Sequence, residues 1–245
     1  MAPPDVPYYR PDLALVHHLG FGFHADACAP GILALLEPVR QRGGLVLELG
    51  CGSGLLTRHL VDAGHRVIAT DASPAMVELA ADYAAGAEKV SVLVLPDDPL
   101  PAADAIVSVG HVVSYLDSPA AVERALQAIA AAVRPDGLFA LDICDLEWGA
   151  GRVGAPNHSR VEDDWAIVTS FSQPAADVFV RDITTFLRNE DGSWRRDDER
   201  HRNVLLDTAA LADRLAGQGV EVTVRSSFGT EALPAGLRVL VGRRS

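Results

Sequence analysis

The sequence predicts an α/β fold: a doubly wound, mostly parallel seven-stranded sheet that carries an antiparallel β insertion after its fifth strand. Three observations predict it. Short apolar runs alternate with helically spaced segments from residue 45 to about 145, the pattern of a parallel sheet covered on both faces. A strand–glycine turn–helix–strand unit, Leu45–Asp71, opens that alternation. After residue 163 the period changes to long strand-like runs, interrupted by the hairpin signal Asp191-Gly192.

In chain order, residues 1–44 read as an N-terminal helical cap. Pro11-Asp12 precede a helix through His18, and Pro30 starts a second one at Gly31–Gln41 with Ile32, Leu35, Leu36 and Val39 on its apolar face. Leu19–Cys28, rich in glycine and aromatics, is expected to be a loop between them. Leu45–Leu49 is the first strand, followed by a helix at Leu55–Ala63 that Gly64 caps. Arg66–Thr70 is the second strand, and Ser73-Pro74 start a helix to about Ala85. Strands are expected at Val90–Leu95 and Ala105–Val109, a helix at Pro119–Val133, and a Pro135-Asp136-Gly137 turn into a fifth strand, Leu138–Ile143. Residues 149–202 form the insertion, with strands at Trp165–Phe171, Val178–Arg188 and Trp194–Leu206; residues 145–163 read as loop. The core is 45–148 and 203–245. Its last elements are a helix at Asp207–Gln218, a strand at Gly219–Ser226, the turn Leu233–Gly236 and a final strand at Leu237–Arg243.

Composition narrows the function classes. The 245 residues are 49% hydrophobic, enough for a large core, and no apolar run reaches the length of a membrane-spanning helix. The first twelve residues are acidic and proline-rich, unlike a secretion signal. A net charge of −12 argues against nucleic acid or an anionic membrane as partner. Cys28, Cys51 and Cys144 are scattered, with no metal-ligand spacing and no disulfide framework, so a cytoplasmic location and no metal are expected.

The segment 45–71 carries the chemistry. Gly50, Gly52 and Gly54 let the backbone turn sharply and a ligand approach it. Asp71 sits at the carboxyl end of the second strand, where ligands of open α/β sheets bind, and a carboxylate there accepts ribose hydroxyls. Dinucleotide sites use G-x-G-x-x-G; here the third glycine comes one residue early and Leu55 takes its place. Glu48, just before the first glycine, would repel a pyrophosphate and suits an amine-bearing ligand.

The run Glu48-Leu49-Gly50-Cys51-Gly52-Ser53-Gly54 with Asp71 resembles motif I of class I S-adenosylmethionine (SAM)-dependent methyltransferases. The resemblance covers residues 45–145 by motif and 203–245 by architecture. It implies a Rossmann-like core, SAM as cofactor and S-adenosylhomocysteine as product. It also implies a cofactor site at Glu48, Gly50, Cys51, Gly52, Asp71, Ala72, Met76, Val109 and Gly110, with Asp97, after the third strand, on the adenine amino group. Ordinary core packing is the competing reading of Met76, and a solvated turn that of Asp98.

Catalytic candidates lie around that site. His111 follows the fourth strand and suits a general base, or a structural role. Of Asp142, Asp145, Glu147 and Trp148 at the end of the fifth strand, Asp145 is the choice for positioning an acceptor. His201 is placed to point into the cleft from the insertion. Tyr8, Tyr9, Phe23 and His24 suit a lid, and Tyr115 suits packing. The resulting expectation is methyl transfer to nitrogen or oxygen of a small metabolite, with the insertion shaping the acceptor pocket and offering strands for a homodimer. A non-catalytic SAM-binding regulator and a nicotinamide-dependent oxidoreductase are the alternatives.

Overall fold

The structure, a computed structural model, describes residues 8–243; the part of the expected N-terminal cap at residues 1–7 lies outside them. Two helices lead, α1 (Pro11–Gly20) and α2 (Phe23–Gln41). The core follows as β1 (Leu45–Leu49), α3 (Leu55–Asp62), β2 (Arg66–Asp71), α4 (Pro74–Tyr83), β3 (Lys89–Val92), β4 (Ala103–Ser108), α5 (Pro119–Ala132) and β5 (Val133–Cys144). Then come β6 (His158–Val161), β7 (Trp165–Ala175), β8 (Val178–Arg188) and β9 (Trp194–Val204). The chain returns to the core with α6 (Thr208–Gly217), β10 (Val222–Arg225) and β11 (Leu237–Arg243).

The main sheet has seven strands in the order β10-β11-β5-β4-β1-β2-β3. The β1–β2, β1–β4, β2–β3 and β4–β5 pairs are parallel, and β11 is antiparallel to both β5 and β10. The chain reverses direction across the sheet between β1 and β4. Such a switch point opens a crevice at the carboxyl ends of the strands, where ligands of this architecture bind. Every residue of β1 is buried, as a central strand requires. Val46 faces a layer formed by Ile32, Leu36 and Val39 of α2 with Leu56 and Leu60 of α3. Leu47 and Leu49 face the opposite layer, Val122, Leu126 and Ile129 of α5 with Leu211 and Leu215 of α6. Pro135-Asp136-Gly137 is looped out of β5: the register against β4 jumps there and Asp136 has φ +60°.

Three expectations are corrected. Leu19–Cys28 is not a loop: only Phe21 and Gly22 separate α1 from α2, and Pro30 lies inside α2. Cys28 and Ala29 continue the apolar face of Ile32 and Leu36, so packing on the sheet outweighs the missing proline N–H. The third strand stops at Val92, short of Leu95. The insertion has four strands, ordered β6-β7-β8-β9, rather than three. All four residues of β6 are exposed, so they show no alternation for a sequence reading to find. Trp165, Ile167, Ile183 and Leu187 of this second sheet pack on Leu13 and Val16 of α1. The N-terminal helix is thereby clamped between the insertion and the core.

Candidate active site

The glycine loop leaves β1 through Gly50 (φ +65°) and Gly52 (φ +54°), and a Cβ on Gly50 would collide with the side chain of Val112. Cys51 N donates to Thr70 O at 2.8 Å, pinning the loop to β2. Asp71 completes the stitch. Its two oxygens accept Gly52 N at 2.9 Å and Ser73 N at 2.8 Å. Burial raises the Asp71 carboxyl, and these backbone donors counter part of the rise. Ser73 caps α4 by accepting Met76 N, and its hydroxyl donates to Tyr9 O at 2.7 Å.

Glu48 is almost fully buried and accepts Thr57 Oγ1 at 2.7 Å. Burial pushes its carboxyl up to about 8. The folded protein thus holds a proton that the unfolded chain releases, and this contribution to stability declines as pH rises from about 4.5 towards about 8. Glu48→Gln is expected to flatten the urea midpoint across that window. Parallel pH curves for variant and wild type would show that Glu48 is not the group responsible.

A cavity of about 640 Å³ opens over the loop. Glu48, Gly50, Cys51, Gly52, Asp71, Ala72, Met76, Val109 and Gly110 all line it. Leu93, Val94 and Leu95 join Met76 as apolar wall, and Tyr8, Tyr9, His17, Phe21, His24 and Tyr115 also border it. Asp97 does not: it is exposed and outside the lining. Asp98 closes the turn by accepting Val94 N at 2.7 Å, which leaves the chain's own Leu93–Leu95 where the carboxylate was expected.

Behind the cavity lining lies Asp142, fully buried inside β5, whose partners Gly110 and His24 do line it. Oδ1 accepts His111 N at 2.7 Å; Oδ2 accepts Gly110 N at 3.1 Å and pairs with His24 Nε2 at 2.9 Å. Asp145, the sequence choice, is committed elsewhere. Oδ2 accepts Thr208 N at 3.2 Å and Thr208 Oγ1 at 2.6 Å, and Oδ1 accepts Glu147 N. It ties the end of β5 to the start of α6. Asp145→Ala is expected to cost about 1 kcal/mol of stability and to leave cofactor affinity unchanged in a calorimetric titration.

His111 and His201 lie behind the cavity wall rather than on it. His111 has a left-handed backbone (φ +51°) and places its ring 5.6 Å from Tyr115 and 5.2 Å from Trp148. Burial and the Arg181 cation push it down to about 3, so it is a neutral imidazole, and its Nε2 is buried without a partner. His201 is fully buried, pairs with Glu199 Oε2 at 2.9 Å, and backs Tyr8, Tyr9 and Tyr115 at ring distances of 4.7, 4.9 and 5.7 Å. Tyr115 does more than pack: its hydroxyl meets Tyr9 OH at 3.2 Å, the Arg181 guanidinium, and His201 Nδ1 at 3.5 Å. Glu199 also accepts Tyr9 N and Arg10 N, so the insertion holds the N-terminal segment along the cavity wall.

The lining fits SAM on its own evidence. The volume falls in the range of cofactor pockets. Gly50 and Gly52 let backbone approach a ligand, and Asp71 stands at a strand end. Glu48 offers an acceptor for an ammonium, and Met76 with Leu93–Leu95 offers an apolar surface for a base.

Fold and cavity match what a class I SAM-dependent methyltransferase requires. Known proteins agree. Residues 46–137 match a family described as a methyltransferase domain. It is 44% identical over 73 residues to the uncharacterized methyltransferase YrrT of Bacillus subtilis, a match covering 29% of this chain and 34% of that protein. The chain thus spans about a third of the length of that curated relative. Among solved structures, a SAM-dependent methyltransferase from Clostridium acetobutylicum superposes with a TM-score of 0.79 at 14% identity, covering 95% of this chain and 97% of that one. The sugar N-methyltransferase KedS8 from Streptoalloteichus superposes with a TM-score of 0.77 at 19% identity, covering 100% and 98%. At such identities the likeness is one of fold.

Proposed function

We propose that the protein transfers a methyl group from SAM to a nitrogen or oxygen of a small-molecule metabolite. The observation that carries this reading is that one cavity joins the glycine loop and Asp71 to a wall of Tyr8, Tyr9, His17, Phe21 and Tyr115. Cofactor and acceptor then share one cavity. SAM, when bound, supplies a methyl group already activated on a sulfonium. The chain's own work is to bind, align and exclude water. Asp71 and Glu48 present carboxyl oxygens to the polar parts of the cofactor, and Met76 with Leu93–Leu95 receives its base. The aromatic wall keeps water from the acceptor. His111, a neutral imidazole stacked on Tyr115 behind the cavity wall, supports that wall and is too weakly basic to take the acceptor's proton. The structural likeness to a sugar N-methyltransferase supports an amine acceptor.

Among the described residues no single helix is long and apolar enough to cross a membrane. No group of three or more His, Cys, Asp or Glu among them is arranged to hold a metal ion. β6 is the exposed outer strand of the insertion, and a second copy would pair there. A monomer in sedimentation at micromolar concentration would remove that element of the proposal.

Calorimetric titration with SAM, S-adenosylhomocysteine and NADH tests the cofactor. Binding of the first two is expected, and binding of NADH instead overturns the reading. Labelled methyl transfer to a panel of amino sugars, small amines and phenols then tests the reaction. SAM binding with no transfer to any acceptor would favour a regulatory SAM-binding protein.

A further inference from the structure

The amino-acid end of SAM carries two charges, an ammonium and a carboxylate, and a cavity that takes it must answer both. Among the described residues, Glu48, Asp71 and Asp117 supply acidic side chains to the lining, while no lysine or arginine lines it. The two basic side chains there are His17 and His24. His17 is pushed down to about 4 by burial and by the Arg181 cation, so it is neutral and cannot balance an anion. His24 is the opposite case. It stands at the start of α2 with 23% of its side chain exposed, and its Nε2 is fixed at 2.9 Å from the fully buried Asp142. Burial disfavours its charge, but the bond and attraction to Asp142 win and raise its pKa. Asp142 also holds Gly110 N, so His24 lines the cavity anchored to the turn that follows β4.

We propose that the His24 ring, fixed by Asp142, receives the carboxylate of the amino-acid end of SAM. The inference rests on SAM being the cofactor. It assigns the two ends of that group to two different side chains: Glu48 to the ammonium and His24 to the carboxylate. The protein then recognises SAM and S-adenosylhomocysteine through a charge that decarboxylated SAM lacks.

Titration of the full chain with SAM, S-adenosylhomocysteine and decarboxylated SAM tests it by binding alone. His24→Gln is expected to weaken SAM and S-adenosylhomocysteine by about tenfold to a hundredfold, the value of a hydrogen bond to a charged group, and to leave decarboxylated SAM unchanged. Equal weakening of all three ligands, or of none, overturns the inference while SAM remains the cofactor. If wild type binds none of the three, the cofactor reading itself fails. A second measurement needs no variant. The ring nitrogen signals of His24 in labelled wild-type protein are expected to shift on binding S-adenosylhomocysteine and not on binding decarboxylated SAM. Identical shifts with both ligands place the carboxylate elsewhere.

Discussion

Asp142→Ala is expected to destabilise the protein by about 3–5 kcal/mol, the range for removing one partner from a buried charged pair. The carboxylate is fully buried, and its removal strands Gly110 N, His111 N and the His24 ring together. A shift of the urea midpoint at constant slope measures the loss. Asp142→Asn keeps an acceptor of the same shape and loses the charge, so its midpoint should fall between those of wild type and alanine. The acid limb supplies a second signature. Burial alone would raise the Asp142 carboxyl, but His24 and the His111 amide hold it below the ordinary carboxylate range. Its contribution is therefore present above that range and is lost as pH falls through it. The alanine variant lacks that part of the acid transition. A loss under about 1 kcal/mol, the size of one ordinary hydrogen bond, would show that the three partners find water instead.

Asp71→Ala is expected to lower SAM affinity by about tenfold to a hundredfold, the value of hydrogen bonds to a charged acceptor. The carboxylate holds Gly52 N and Ser73 N, so its loss also frees the loop that the cofactor must lie against. Asp71→Asn separates the two contributions. One oxygen still accepts a backbone donor, so the loop is better held, while the charged acceptor is gone. Calorimetry should rank the affinities wild type, asparagine, alanine. Unchanged affinity in folded Asp71→Ala would place the ribose elsewhere in the cavity.

The parts of the site that were legible lie close together in the chain. Glu48, Gly50, Gly52 and Asp71 belong to one strand–turn–helix–strand unit, so spacing alone reports their geometry. Asp142 and His24 are 118 residues apart and meet only because α2 packs across the sheet near the end of β5. The signal for Asp142 was present: a carboxylate inside the apolar run Leu138–Cys144 is costly unless it is paired. Asp145, three residues on, lies past the buried strand, where polar side chains need no special account. Asp97, expected on resemblance, is exposed and outside the cavity lining. Tyr115 and Arg181 come from different layers of the fold, and no pattern within either segment announces their contact. The insertion's hairpin β8–β9 was legible through Asp191-Gly192, where Gly192 has φ +83°. Its outer strand β6 was not, because it buries nothing.

The bond from Glu199 to the backbone of Tyr9 and Arg10 joins residues 190 and 189 positions apart. It has a consequence for biosynthesis. The glycine loop is made early, yet the wall that closes over it needs β9, and the sheet itself is completed only when β11 slides between β5 and β10. Until β9 and β11 have been made, a nascent chain on the ribosome carries only an open half-site.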